Sequence, residues 1–323
     1  MLQLVLKRVL NAVLLLATVL VLNFTLIHLA PGDPAEVIAG EMGGATEEIL
    51  AAIRQQYGLD QPFHIQLGRY LGQVLQGDLG YSYYFNTSVI GLIGQRLPAT
   101  LVLVITAALL SIVTGTLLGV VAARRPNGLL SHFTTIISLV GYSAPVFWTG
   151  LVLLILFASM LPWFPVSGMN DILLKNPSWW IQVWDVLHHL VLPAFTLAII
   201  YIAQYSRLAR ASMLEVLGAD YIRTAHAKGL SADRVVYKHG LRNAILPVIT
   251  AAGLQFGNLF AGAVLVETVF NWPGLGSLAF DSILRRDYPT MLGILFFSAF
   301  MVTVANLLTD VAYGVADPRI RKR

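Results

Sequence analysis

The stretch Asp220 to Pro247, DYIRTAHAKGLSADRVVYKHGLRNAILP, is polar and basic in a 323-residue chain that is otherwise mostly apolar. Asp220 suits an N-cap, Tyr221 to Lys228 has no Pro or Gly, and Gly229 suits the left-handed residue that ends a helix. That predicts a helix of about two turns. Ser231 is placed to cap a second helix, Ala232 to His239, leading through Leu241, Arg242 and Asn243 to Pro247 and another apolar segment. Elsewhere chemistry is sparse. No G-x-x-x-x-G-K-[ST] string exists to cradle a nucleotide phosphate, and H-E-x-x-H and G-x-S-x-G are absent. With no cysteine, there are no disulfides, thiolate metal sites or cysteine nucleophiles. His188 and His189 are adjacent, so on a helix they point to different faces and make a poor metal pair; interfacial hydrogen bonding is expected of them. Gln255 and Asn258, uncharged amides in an apolar run, must find a partner or water and are candidates for lining a hydrated path, with interhelical bonding the competing role.

The elements around these residues are membrane spans. The chain is 57% hydrophobic and only 12% charged, with a mean hydropathy of +0.72, outside the usual range of a soluble domain. Six segments free of Lys, Arg, Asp and Glu are long enough to cross about 30 Å of hydrocarbon: Val9 to Leu29, Ala99 to Ala122, Thr134 to Ser159, Leu187 to Ser206, Ala244 to Val266 and Thr290 to Thr309. The expected class is all-α, a polytopic membrane protein with six transmembrane helices. Pro145, Pro193 and Pro247 are expected to make kinks or ends, without breaking topology. Ser143 and Pro145, in the third span, would bend the helix and expose polar atoms, as pathway lining or as a close-packing site. Lys7-Arg8 before an apolar run also describes a secretory signal, but the run is long and lacks an A-x-A-like end, so an uncleaved first span is expected.

With both termini on the cytoplasmic side, fifteen of the 21 Lys and Arg face the cytoplasm. The net charge of +4 is therefore a topology signal and does not call for nucleic acid. Residues 30–98 carry an excess of acid and should lie outside. There Ala30-Pro31-Gly32-Asp33-Pro34 marks the exit from the bilayer, Thr46-Glu47-Glu48 opens a helix that Gly58 closes, and Phe63 to Gln76 forms a second helix. Its Phe63, Leu67, Tyr70, Leu71, Val74 and Leu75 recur as one apolar face. Trp163, Trp179, Trp180 and Trp184 read as an interfacial belt. Phe270 to Gly276 reads as a rigid outer turn. Asp310 should sit near the inner interface.

The residues of the central loop resemble the cytoplasmic coupling loop, the EAA loop, of permease subunits in bacterial ABC importers, closest to the dipeptide and oligopeptide branch. The matching residues are Tyr221 to Ala225, Ala227 to Leu230, His239, Leu241, Arg242, Asn243 and Pro247. Arg223-Thr224-Ala225 stands where the general loop has Glu-Ala-Ala. The strings PGDP, GLDQP and GDLGYS, the segments Phe270 to Gly276 and Arg285 to Pro289, and the tail Asp317 to Arg321 are also similar to that branch, so the resemblance covers nearly the whole chain. It implies the type I ABC importer permease fold and one permease domain over 1–323, with 30–98 extracytoplasmic and 207–243 the coupling loop. It further implies a non-enzymatic subunit of the bacterial inner membrane, without a cofactor of its own. The implied partners are a second homologous permease, two ATP-binding cassette subunits that bind ATP and Mg, and an extracytoplasmic substrate-binding protein. The residues it puts at the ATPase contact are Asp220, Arg223, Ala225, Gly229 and Asn243, with Ala225 small enough to enter a groove. Nickel or glutathione are alternative cargoes of the same branch. A stand-alone channel or secondary carrier is the alternative from another class, disfavoured by the lack of ionisable residues in mid-span.

Overall fold

The computed structural model describes residues 2–29, 34–41, 46–174 and 177–316. Expectations for Ala30 to Asp33 and for the tail from Asp317 lie outside the described residues. The chain divides into two compact units, one built from the described parts of Met1–Pro98 with Gly274–Leu308, the other from Ala99–Pro273 with Thr309–Ala316.

In the first unit α1 (Leu2–Leu29) is followed by α2 (Pro34–Glu41), α3 (Glu47–Tyr57) and α4 (Phe63–Leu75). The local signals act as expected on α3. Thr46 Oγ1 accepts from the Ile49 amide at 3.4 Å, and Gly58 ends the helix at φ +65°. Ala35, Ala39, Leu50 and Ile53 form a small core between α2 and α3. The apolar face of α4 lies on α1: Phe24 stacks with Tyr70 at 5.2 Å and contacts Phe63 at 5.5 Å. Val74 is buried while Leu75 is 87% exposed, so Leu75 does not belong to that face. A short hairpin, β1 (Tyr81–Ser82) paired antiparallel with β2 (Thr87–Ser88), leads into α5 (Val89–Arg124).

That helix begins ten residues before the apolar run that announces it and passes through Pro98. Its early turns hold because Val89, Leu92 and Ile93 are buried with Leu79, Leu275, Leu278 and Ile294 in the core of the first unit. Residues 270–276 were expected to be turn throughout; instead α12 (Leu275–Arg285) starts there and inserts Leu275 and Leu278 into that core. A second polar buried knot starts α13 (Tyr288–Ala316). Asp287, 5% exposed, accepts hydrogen bonds from the hydroxyls of Ser82 and Thr290 and from the Thr290 amide.

The second unit holds the remaining spans: α6 (Leu129–Ser143), α7 (Val146–Leu153) continuing as a π-helical stretch π1 (Leu154–Met160), α8 (Trp179–Leu217) and α11 (Leu246–Val269). Among the described residues five helices are long and apolar enough to cross a membrane, and α6 with α7–π1 makes a sixth if counted as one span. At Pro145 the outcome is an end, one of the two expected there: α6 stops at Ser143 and α7 starts at Val146. The two halves meet at 110°, because Pro145 cannot donate a backbone hydrogen bond and caps α7 from an extended conformation. Pro193 lies within α8 and Pro247 in the first turn of α11, as expected.

Outward stripes such as Ile105, Leu109, Val113 and Leu117 on α5 are exposed, whereas Leu103, Ala107, Ser111 and Val120 on the other face are buried. An exposed apolar stripe of that length suits lipid, not water. On the buried side α5 approaches α8 at backbone distance. A Cβ built on Gly115 would stand 2.9 Å from the Ile202 carbonyl oxygen, and one on Gly119 would stand 2.5 Å from that of Ser206. Gly115 and Gly119 form a G-x-x-x-G pair, which lets helices touch where only small residues fit.

Candidate functional site

The central stretch folds as a short helix on a scaffold. α9 (Asp220–Ala227) is followed by a left-handed Gly229 at φ +76°, a π-helical stretch π2 (Arg234–Gly240), and α10 (Leu241–Ala244), which runs into α11. The helix and its glycine end match expectation, but its start differs. Ala219 occupies the N-cap without a side-chain bond. Asp220 is the first helical residue and pairs with Arg223 at 3.2 Å. Ser231 does not cap with its side chain; its carbonyl accepts from Val235 at 3.0 Å, and most of the second helix is π-helical rather than α-helical.

One face of α9 is buried in its own chain. Ile222 and Ala225 pack with Val235 against Leu217 and Leu230, so the small size of Ala225 serves this contact, and Ala225 does not present itself to a groove from outside. The opposite face offers Asp220, Tyr221, Arg223, Thr224, His226 and Lys228 to the surroundings. A Cβ on Gly229 would meet nothing within 4 Å, so glycine is required there by φ alone. Asn243 does not sit on that face. Its Nδ2 donates to the Tyr221 hydroxyl at 2.8 Å, which ties α9 to the helix leading into α11. Arg124, at the end of α5, pairs with Asp233 and lies 5.7 Å from the Tyr237 ring centre. The Arg210 guanidinium donates to the Pro126 carbonyl at 3.3 Å. The stretch is thus braced by the ends of α5, α8 and α11 together.

The candidate lining residues scatter. The Ser143 hydroxyl turns back to the Leu139 carbonyl at 2.8 Å, Pro145 caps α7, and Asn258 is exposed. Gln255 does reach a cavity. An open cleft of about 510 Å³ lies between α6, α8 and α11, lined by Tyr142, Gln204, Tyr205, Arg207, Leu208, Ala251 and Gln255. The carboxamide oxygens of Gln204 and Gln255 are themselves closed off from the cleft and have no hydrogen-bond donor, and the Arg207 guanidinium stands 5.1 Å from the Tyr142 ring centre. Gln204 and Arg207 escape a sequence reading because arginine at the end of an apolar run looks like a topology charge.

The two histidines each hydrogen-bond to a backbone carbonyl: His188 Nε2 lies 2.9 Å from that of Trp163, and His189 Nδ1 2.9 Å from that of Asp185. Trp163, Trp179, Trp180 and Trp184, read from the sequence as a belt, are all exposed. Among the described residues no group of three His, Asp or Glu could hold a metal ion. Two buried contacts lay beyond the sequence reading. Glu267, fully buried, accepts from Thr100 at 2.7 Å, and the Trp272 indole donates to the Ala99 carbonyl at 2.9 Å.

Apolar helices long enough to cross a membrane, bracing one short, polar, exposed helix, are the architecture of a polytopic membrane protein. Residues 115–322 match the model of the binding-protein-dependent transport system inner membrane component, and residues 1–104 match its N-terminal companion. The chain belongs to that family. It is 44% identical to the Di/tripeptide transport system permease protein DppB of Pseudomonas aeruginosa, with 94% of each chain covered. It is 40% identical to the Oligopeptide transport system permease protein AppB of Bacillus subtilis over 98% of each, and 40% identical to the Dipeptide transport system permease protein DppB of Escherichia coli over the full length of both. Among solved structures, an inward-facing form of the MetNI methionine ABC transporter shares the fold at a TM-score of 0.56 and 16% identity, covering 71% of this chain and 97% of that one. The type I importer permease fold expected from the loop is therefore present, in an inner-membrane protein.

Proposed function

We propose that this chain is one permease half of an ATP-driven importer of di- or oligopeptides, and that α9 is the helix through which ATP-hydrolysing partners act on it. The observation that carries the coupling role is the two-faced character of α9: Ile222 and Ala225 anchor it to its own chain, while Arg223, His226 and Lys228 face outward. Rigid attachment on one side and an open polar surface on the other is what a transmitted push requires. Peptide cargo is supported by the names of the relatives above, which are peptide or oligopeptide permeases over their full length; they give no support to nickel or glutathione.

In this reading both termini and residues 207–243 face the cytoplasm, and residues 30–98 face outward. Two ATP-binding cassette subunits carry ATP and Mg, a second homologous permease completes the path, and an extracytoplasmic binding protein delivers cargo. Asp220, Arg223 and Gly229 act at the contact itself. Ala225 and Asn243 act by holding α9 to its scaffold. The test is ATP hydrolysis and peptide uptake by the complex that co-purifies with the tagged chain. Gly229→Asp forces a side chain into the left-handed region, at about 1–2 kcal/mol, and puts a negative charge at the negative end of α9. The expected result is normal insertion with lost transport. Normal uptake by that variant, or a folded wild-type chain that captures no ATPase, would refute the assignment.

A further inference from the structure

Arg124 and Arg125 stand side by side at the end of α5, and charge alone gives both the same duty, to hold that end on one side of the bilayer. Their surroundings separate them. Arg124 pairs with Asp233, and its guanidinium lies 5.7 Å from the Tyr237 ring centre, so two side chains four positions apart bracket it. Arg125 is exposed, and among the described residues it makes no ion pair or ring contact. Beneath the Arg124 bracket, Val236 of π2 is buried with Val120 and Ala123 of α5, Met213 of α8 and Ala244 of α10. Such an apolar contact resists separation but is non-directional, so it allows one element to slide over another. A guanidinium held by a carboxylate and a ring adds the direction, fixing π2 along the end of α5. The chain runs from α9 through π2 to α10 and α11, so a displacement of α9 passes through π2. Arg124 gives it a second exit, into α5, beside the covalent one into α11. The end of α5 does not yield alone, because at Gly115 and Gly119 its backbone lies against that of α8.

We propose that Arg124 is a positioning residue for coupling: by locking π2 to the end of α5 it makes α5 move with α9, so that ATP hydrolysis by the partners is converted into a movement of the spans. Arg125 has no part in this. The pair is exposed and adds little to stability; its effect is on which elements move together. The assignment rests on the coupling role of α9 argued above and adds α5 as a second path from that helix into the membrane.

The test uses the complete complex in proteoliposomes with its binding protein, dialanine as cargo and import per ATP hydrolysed as the readout. Arg124→Gln is expected to lower import per ATP about threefold, the combined weight of an exposed ion pair and a cation–π contact, with ATP hydrolysis and melting temperature unchanged. Arg125→Gln, the matched control, should keep the wild-type ratio. Asp233→Asn should also lower the ratio, and combining it with Arg124→Gln should cost nothing further, since both remove one interaction. Exchanging the charges, with Arg124→Asp and Asp233→Arg in one chain, should recover part of the loss that Arg124→Asp alone produces. Equal losses in Arg124→Gln and Arg125→Gln would make both arginines topology charges and overturn the proposal. So would a charge exchange that recovers nothing, since Arg124 would then serve the surface of a partner. A fall in ATP hydrolysis or melting temperature in step with import overturns it too, because the pair would then be a fold contact. Normal dialanine import by Gly229→Asp, or wild-type vesicles that import none, would instead refute the coupling and peptide readings themselves, and the proposal with them.

Discussion

Substituting Gly119 with alanine tests whether α5 and α8 are held at backbone contact. The added Cβ would stand 2.5 Å from the Ser206 oxygen, 2.7 Å from the Ala209 Cβ and 2.8 Å from the Arg210 nitrogen. Two of these are backbone atoms and the third is the stub of a side chain, so none can swing aside. Ordinary contact begins at 3.4 Å, and the helices must part by about 0.9 Å at the crossing. A gap of that size forfeits roughly a quarter to a half of the dispersion energy of each atom pair it separates. The pairs at risk include the buried Tyr205 and Ala209 with the partly buried Ile112. Overpacking of this kind costs about 1–3 kcal/mol. Gly94→Ala is the matched control: it lies in the same helix, and its Cβ would meet nothing within 4 Å, so relief of glycine's backbone entropy should stabilise it by about 0.5–1 kcal/mol. The measurement is thermal unfolding of the two variants in the same detergent, after confirming equal membrane insertion. Gly119→Ala melting at or above Gly94→Ala would refute the close approach.

Removing the carboxylate that starts α13, by Asp287→Ala, leaves the hydroxyls of Ser82 and Thr290 without their acceptor. It should cost about 1–3 kcal/mol, measured as a lower melting temperature; Asp287→Asn, which keeps one acceptor oxygen, should lose less. Burial pushes the Tyr70 phenol up to about 12 from 10.0. Its folded pKa is above its unfolded one, so between pH 10 and 12 the unfolded chain loses the proton first and folding weakens as pH rises, while below pH 10 the group contributes no pH dependence. The wild type should therefore lose stability more steeply than Tyr70→Phe across that window, and equal slopes in denaturation curves would count against the burial of the phenol.

Local signals were legible where one residue type settles the local geometry. Thr46 and Gly58 bound α3 as their chemistry dictates, and Gly229 takes the left-handed conformation. Hydropathy located each bilayer-crossing run but not the helix ends, because helices continue wherever tertiary burial supports them: Val89 to Pro98 contains Gln95, Arg96 and a proline, yet Val89, Leu92 and Ile93 are buried. α12 was hidden by the Pro and Gly before it, although Leu275, Leu278 and Ser282 recur at helical spacing and are all buried. The Gly115–Gly119 pair, which the sequence reading did not single out, carries the α5–α8 approach. Nothing in the letters reveals which face of α9 is buried, since Ala225 meets Val235 and Leu217 only after the chain has folded back. The same holds for the cleft, whose walls come from three helices far apart in sequence.

The π-helical stretch Arg234–Gly240 also constrains how the length of this chain can change. A π turn holds more residues than an α turn, so it acts as a store of backbone slack inside an otherwise continuous rod. Deleting one residue there could be absorbed by reverting toward α geometry, with little lost from the helix itself. The residues beyond the deletion would then keep nearly their present phase, so Asn243 would still face Tyr221 and α11 would keep its side toward α8. The same deletion within α11 (Leu246–Val269) has no such reserve and would turn everything beyond it by about 100°. The π stretch is therefore the place where this chain can lose a residue without changing which faces meet.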